Sequence, residues 1–441
     1  MEILIKTLQF ILSLSLLVMI HEGGHFLFAK MFGIRVEKFY LFFNPKFSLF
    51  KYKHGETEYG IGWIPFGGYV KLSGMMDESM DKEQMKQPAK EYEFRSKPAW
   101  QRLLVMIGGV LMNIITAFVI YICMSFSYGE SYIKNEDVKY GYEFSDLGQK
   151  IGFVNGDKIL SVDGQTFDNY MKVREAIIIS NPKEVLVERG GEKVVVPMDK
   201  KNIEPLLTDY VFQIRNTYVV DSTMVGSGAA VGGLMKGDSL VGINGVTMIF
   251  GDEFKTIFQS CKDSTLMIDV IRDSMGVKVA KSLPVKVSDE GMVGIFSDPI
   301  RGIAITEVDY NFFQSIGKGV DRTFGMVTSY VDQMKLVFTP STGAYKQIGS
   351  VISMGSVFAP VWDWFRFWNM TALFSVILAV MNILPIPALD GGHVMFLIYE
   401  VVARRQPNEK FMEYMQVAGM VLLFALMAFA LGNDIFRLLI K

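Results

Sequence analysis

The sequence predicts a polytopic membrane protein, with four helical spans and β-rich segments in one inner loop and one long outer loop. Three observations carry this. Hydrophobic residues make up 50% of the 441-residue chain and charged residues only 20%, against about 25% in ordinary soluble domains. Four apolar stretches are long enough to cross the roughly 30 Å hydrocarbon layer, which takes about 20 helical residues. Between the second and third stretches, apolar and polar residues alternate between Gly-Asp and Asn-Gly turns. The 44 Lys+Arg nearly balance the 46 Asp+Glu, so no basic surplus points to nucleic acid. With 2 cysteines the chain has neither a disulfide framework nor a multi-cysteine zinc site. With 4 histidines, any histidine metal site must use a small and visible set.

The first span covers residues 1–30. Lys6 precedes an apolar core, as in a signal peptide, but no small-residue cleavage site follows and the segment ends in ionisable residues. It therefore reads as a retained span. Residues 31–99 form a loop rich in Lys and Arg, among them Arg35, Lys38, Lys46, Lys51 and Lys53. The second span covers 100–128, the third 367–393 and the fourth 410–437. The short loop between the last two carries Arg404, Arg405 and Lys410. By the positive-inside rule both loops are cytoplasmic, and the 129–366 loop lies outside with both termini. Within the inner loop, 75–91 is charged and methionine-rich, and reads as a solvated linker or an amphipathic surface helix. Cys123 and Cys261 read as packing residues.

The outer loop contains a weak repeat. GFVNGDKILSVDG at 152–164 matches GLMKGDSLVGING at 233–245. Each copy is a Gly-Asp turn, an alternating strand and a closing Asp-Gly or Asn-Gly turn. The loop thus divides into two β-rich units, 129–214 and 215–308, and a connecting segment, 309–366. The pattern is similar to PDZ domains, small modules that bind extended peptides by strand addition.

The chemical signal is His21-Glu22-Gly23-Gly24-His25 at the end of the first span. Four residues are about 400° of helix, so both imidazoles lie on one face and can bind one zinc ion. Glu22 is offset and free to act as general base on water. A carboxylate and two imidazoles in an apolar span are costly unless they serve a site. Gly23 and Gly24 allow a helix or a peptide backbone to approach closely. Zinc hydrolases hold the metal with three protein ligands. The third span ends Met381-Asn382-Ile383-Leu384-Pro385-Ile386-Pro387-Ala388-Leu389-Asp390-Gly391-Gly392-His393. Two prolines break the helix at membrane depth, where irregular backbone must line a cavity or be buried in protein. Asp390 just beyond them is a hard-oxygen candidate for the third ligand, with helix capping as its alternative role. His393 is a competing ligand or a supporting residue, and His54 a surface histidine.

Together these residues resemble the site-2 protease family of intramembrane zinc metalloproteases, in its bacterial, sigma-factor-regulating branch. The paired signatures are H-E-x-x-H and N-x-x-P-x-P-x-x-D-G, and the likeness extends over roughly the whole chain. Val110 departs from the family's usual proline after Gly109, and Gly349-Ser350 stands where the family has Gly-Pro. The resemblance implies a four-transmembrane-helix metalloprotease core, a cytoplasmic β-loop and two outer PDZ-like domains. It implies Zn2+ on His21, His25 and Asp390, with Glu22 catalytic. It implies that Ile64–Lys71, with Gly67 and Gly68, belongs to a membrane-associated β-loop that pairs with an unwound substrate strand. Asn382 would hold the substrate or its oxyanion, although capping or an interhelical hydrogen bond suits the residue equally. The implied substrates are transmembrane segments of single-span anti-sigma factors and signal-peptide remnants, after an upstream protease has trimmed them. The implied setting is the lipid bilayer of a bacterial inner membrane, with the PDZ-like domains periplasmic. The alternative is a non-catalytic PDZ-containing membrane receptor or chaperone. A zinc transporter fits poorly, because the second and fourth spans hold almost no ionisable residue in their cores. A zinc protease of soluble substrates fits poorly, because the motif sits in an apolar span.

Overall fold

The computed structural model describes residues 1–75, 88–180, 182–198, 211–274, 276–298, 300–405 and 407–440, so most of the 75–91 stretch lies outside the described residues. The chain forms two compact units. One comprises 1–130, 308–338 and 345–441; the other comprises 131–307 and 339–344.

The first unit opens with α1 (Glu2–Met31), a sheet of β1 (Val36–Phe43), β2 (Phe50–His54), β3 (Thr57–Ile61) and β4 (Ile64–Leu72), and α2 (Ala99–Tyr128). It continues with α3 (Phe312–Val337), α4 (Trp364–Ile383), α5 (Asp390–Ala403) and α6 (Glu409–Ile440). Among the described residues, α1, α2, α4 and α6 are the helices long and apolar enough to cross a membrane. Leu8, Leu12, Val119, Phe126, Phe424 and Met427 on these helices are exposed, an apolar surface suited to lipid.

Helix α2 is central, packed on α1, α3, α4 and α5. Small residues set its crossing with α1. A Cβ at Gly24 would run into the main chain of Gly108, and one at Gly108 would lie 2.8 Å from Gly24 O. In lipid, where apolar burial between helices is nearly free of driving force, such close contact is what holds helices together.

Two stretches differ from the sequence reading. The segment expected only as a connection contains α3, a 26-residue helix. Its N-terminus is a capping box: Asn311 Oδ1 accepts from Gln314 N, and Gln314 Oε1 accepts from Asn311 N, both at 3.0 Å. Met326, Val327, Tyr330 and Met334 then pack on Ala117, Val376 and Val380. The 367–393 segment is not one element: its first helix ends at Ile383, at the proline break the sequence predicts, and a second, unexpected helix follows. Pro385 and Pro387 cannot continue a helix, and Asp390 opens a new one, α5. The glycines after Asp390 let this new helix fold back: a Cβ at Gly392 would lie 2.7 Å from Ile386 O.

In the sheet the strand order is β2-β3-β1-β4, which leaves β4 at one edge. β1 pairs parallel with β3 and antiparallel with β4. β4 lies along α1, which brings it beside the H-E-x-x-H turn.

The second unit holds the sequence repeat. Strands Lys158–Val162, Glu184–Arg189 and Glu192–Pro197 form one antiparallel sheet; Ser239–Ile243, Thr265–Ser274 and Val277–Lys286 form the core of another. The register slips at matching places, between Ile159 and Ser161 and between Leu240 and Gly242. Each Gly-Asp turn is clamped alike. Arg189 bonds both oxygens of Asp157 and the Gly152 carbonyl, and Arg272 both oxygens of Asp238 and the Gly233 carbonyl. Separate apolar cores form around Phe144, Phe153 and Val187 and around Leu240, Phe254 and Ile268. Between the two copies, Asp252 accepts from Asn155 and Lys255 bonds Glu143, while Arg215 at the start of the second copy also bonds Asp252.

Asp238 is fully buried, so its removal strands a largely buried guanidinium. Asp238→Ala is expected to cost about 3 kcal/mol of stability. Denaturant titration followed by proteolysis of the exposed chain measures it.

Candidate metal centre

The site is built where the last turns of α1 meet the start of α5. His21 and His25 share one face of α1, and both are buried. His25 Nδ1 donates to Val105 O on α2 at 2.8 Å. With its proton there, the ring turns a lone pair on Nε2 toward the site. His21 Nε2 lies 3.3 Å from His25 Nε2. Asp390 Oδ2 lies 3.1 Å from His21 Nε2 and 3.3 Å from His25 Nε2.

These separations test the fit to a metal. Zinc takes nitrogen and oxygen ligands at about 2.0 Å in a tetrahedron, whose corners are then about 3.3 Å apart. The three donor atoms stand at that spacing. Asp390 Oδ2 is buried and finds no hydrogen-bond donor, although both rings are within reach. An anionic oxygen so enclosed calls for a cation. The residues therefore fit zinc, with a further corner left for water. Among the described residues, His21, His25 and Asp390 are the group of His, Cys, Asp and Glu side chains close enough to share one ion. Asp390 occupies the first position of α5, and no side chain caps that helix at Leu389.

One cavity joins some of the remaining candidates. It is lined by Glu22, His25, Asp390 and the strand Gly68–Leu72 of β4, with Ala388, His393 and Gln416. Gly68 packs tightly there: a Cβ would sit 2.7 Å from Val18 Cγ1 and 2.8 Å from Tyr40 O. Gly67 is at φ 70° and packs on the ring of Phe43, which lines the cavity, but is not itself a lining residue. Asn382 sits in the last turn of α4 and is not among the lining residues. His54 is exposed in β2. Gly24 is taken up by packing on α2, while Gly23 has no neighbouring group within 4 Å.

A family model described as Peptidase family M50 matches residues 9–426. The chain belongs to peptidase family M50. It is similar to the protein of Yersinia pestis named Protease RseP, with 28% identity over 99% of this chain and 100% of that one. It is 26% identical to the Regulator of sigma E protease of Salmonella typhi, again over 99% and 100% of the two chains. A protein of Vibrio cholerae serotype O1 named as a zinc metalloprotease is 27% identical over 99% of this chain and all of its own. This M50 peptidase is thus a membrane protein and a zinc metalloprotease.

The sequence marks Gly109 and Asn113 in the second span as family-like but gives them no role, and the structure places both against the donors. Gly109 faces both rings, where a Cβ would lie 2.5 Å from His25 Nε2 and 2.6 Å from His21 Cε1. Asn113, one turn on, places Nδ2 3.2 Å from His21 Nδ1. Their i, i+4 spacing in the second span was the available signal.

Asp390→Ala is expected to lose zinc from the purified protein, as measured by elemental analysis in detergent. Wild-type zinc content in this variant would remove Asp390 from the donor set.

Proposed function

We propose that this zinc metalloprotease hydrolyses peptide bonds within transmembrane segments of single-span proteins, using zinc on His21, His25 and Asp390 and Glu22 as general base. One observation carries the reading: Glu22 and both imidazoles belong to α1, a helix of membrane-spanning length and hydropathy, and lie beside an edge strand. A hydrolase of soluble chains has no use for this burial in an apolar span.

A substrate helix hides its carbonyls in intrahelical hydrogen bonds and must unwind before attack. β4 offers an edge for strand addition to the freed backbone. Gly68 lets β4 pack closely on α1 beside Glu22, and Gly67 lies in the interruption of the β1–β4 register between Leu41 and Phe43. Zinc, when bound, polarises water and the scissile carbonyl. Glu22 accepts the proton of the attacking water and delivers one to the leaving amine. Asn382, at the end of α4, is the candidate donor to the developing oxyanion. A second cavity shares Met75, Ala388, His393 and Gln416 with the first and extends to Arg95, Arg102 and Glu400. It is the route for water from the side of the Lys- and Arg-rich loops, which the positive-inside rule makes cytoplasmic.

The two repeats of the outer loop act as PDZ-like modules that screen substrates, excluding those with bulky outer domains until another protease trims them. Relatives named for regulation of sigma E support anti-sigma factors as one substrate class, with signal-peptide remnants as another. The protein then resides in the inner membrane, with these modules in the periplasm.

Glu22→Gln is expected to keep its zinc and to lower cleavage of a single-span reporter by about 10²–10⁴-fold. Undiminished cleavage would refute the assignment of the base. Gly68→Val sets a new side chain against Val18 and Tyr40 O and shifts β4 against α1 beside Glu22. Its cleavage should fall about 10²-fold with zinc retained, read in the same reporter assay, and wild-type cleavage would remove β4 from the substrate path.

A further inference from the structure

Asn113 is fully buried on α2. Its Oδ1 has no hydrogen-bond partner, while its Nδ2 lies 3.2 Å from His21 Nδ1. A buried amide oxygen without a donor costs about 1–3 kcal/mol. The neighbouring ring supplies the donor. His21 Nε2 is the atom 3.1 Å from Asp390 Oδ2, so Nε2 is the nitrogen turned to the site. The ring proton must then sit on Nδ1, as it does on His25, where Nδ1 donates to Val105 O. The two ends of a carboxamide are nearly isosteric. A half-turn about Cβ–Cγ of Asn113 sets Oδ1 where it accepts from His21 Nδ1–H, which pairs the carbonyl oxygen and the ring proton with each other.

The helix carrying this amide is held in place. Ser375 Oγ, from α4, donates to Asn113 O at 2.7 Å. One turn further along α4, Thr371 Oγ1 donates to Ser13 Oγ of α1 at 2.9 Å. All three hydroxyl residues are fully buried. This polar seam ties α1, α2 and α4 together beside the imidazoles. Gly109, a turn before Asn113, leaves room for both rings against α2.

We propose that Asn113 is a positioning residue: its side-chain carbonyl accepts the His21 Nδ1 proton and fixes the tautomer that leaves Nε2 for zinc. Ser375 fixes the α2 backbone from which it acts. A neutral amide orients the ring without adding negative charge to a site that already holds Asp390 and Glu22. The proposal rests on His21 being a zinc ligand.

The test is zinc affinity of the full chain in detergent, by chelator competition, together with the visible spectrum of the Co2+-substituted protein. Asn113→Leu, of similar volume but with no acceptor, should weaken zinc binding by about 10–100-fold and alter the cobalt bands. Asn113→Asp keeps an acceptor and should bind zinc within a few-fold of wild type. Its cobalt bands should still move, because a carboxylate on Nδ1–H makes the imidazole a stronger donor. Wild-type affinity with unchanged bands in Asn113→Leu would overturn the proposal, as would an Asn113→Asp variant as weak as Asn113→Leu. If Asn113→Leu does not fold, the Asn113→Asp cobalt spectrum decides, and unchanged bands overturn the proposal. His21→Ala in the same titration separates the two levels. Zinc retained there removes the ligand assignment itself. Zinc lost there but held normally by Asn113→Leu removes only the role of Asn113.

Discussion

Asp390 presents a buried carboxylate oxygen to two imidazoles and receives no hydrogen bond in return. Isolating such a charge from water costs several kcal/mol unless a cation or a donor meets it. This electrostatic demand organises the first unit. It requires that two distant parts of the chain meet, that one helix end just short of the meeting point, and that another begin there. Pro385 and Pro387 end α4, and the glycines after Asp390 let α5 start against the turn they leave. Gly24 and Gly108 bring α1 and α2 into backbone contact, so that Val105 and Asn113 reach the far sides of the two rings.

The same constraint explains why the site is so sparing with charge. In an apolar span each ionisable group must be compensated locally. The two imidazoles face one carboxylate, and their outer nitrogens meet a neutral carbonyl and a neutral amide. Glu22 lies on the cavity side of α1, facing the wall formed by β4. The second unit solves a different problem, that of stiffening two small β modules. It does so twice with one device, an arginine that clamps the aspartate of a Gly-Asp turn. Repetition of a buried Arg–Asp bond and of a strand slip is a stronger sign of common architecture than the weak sequence match.

Much of this was legible in the chain. Span positions follow from hydropathy, and the H-E-x-x-H turn follows from helical periodicity, because both are properties of consecutive residues. The break after Ile383 was readable from two prolines, but the new helix at Asp390 was not, because a helix that starts in the membrane depends on neighbours to satisfy its ends. The helix at Phe312–Val337 escaped notice because its apolar face is narrow. It has too few apolar residues to resemble a span, and its value lies in what α2 and α4 offer it.

Residue types and their local spacing determined the reaction class, since two imidazoles one turn apart with a carboxylate beside the first leave few other uses. Only the tertiary structure shows how near Asp390 lies to both imidazoles, how each ring is oriented, and which strand edge borders the cavity. Those depend on ångström-scale contacts between segments hundreds of residues apart, and a linear pattern holds no record of such distances.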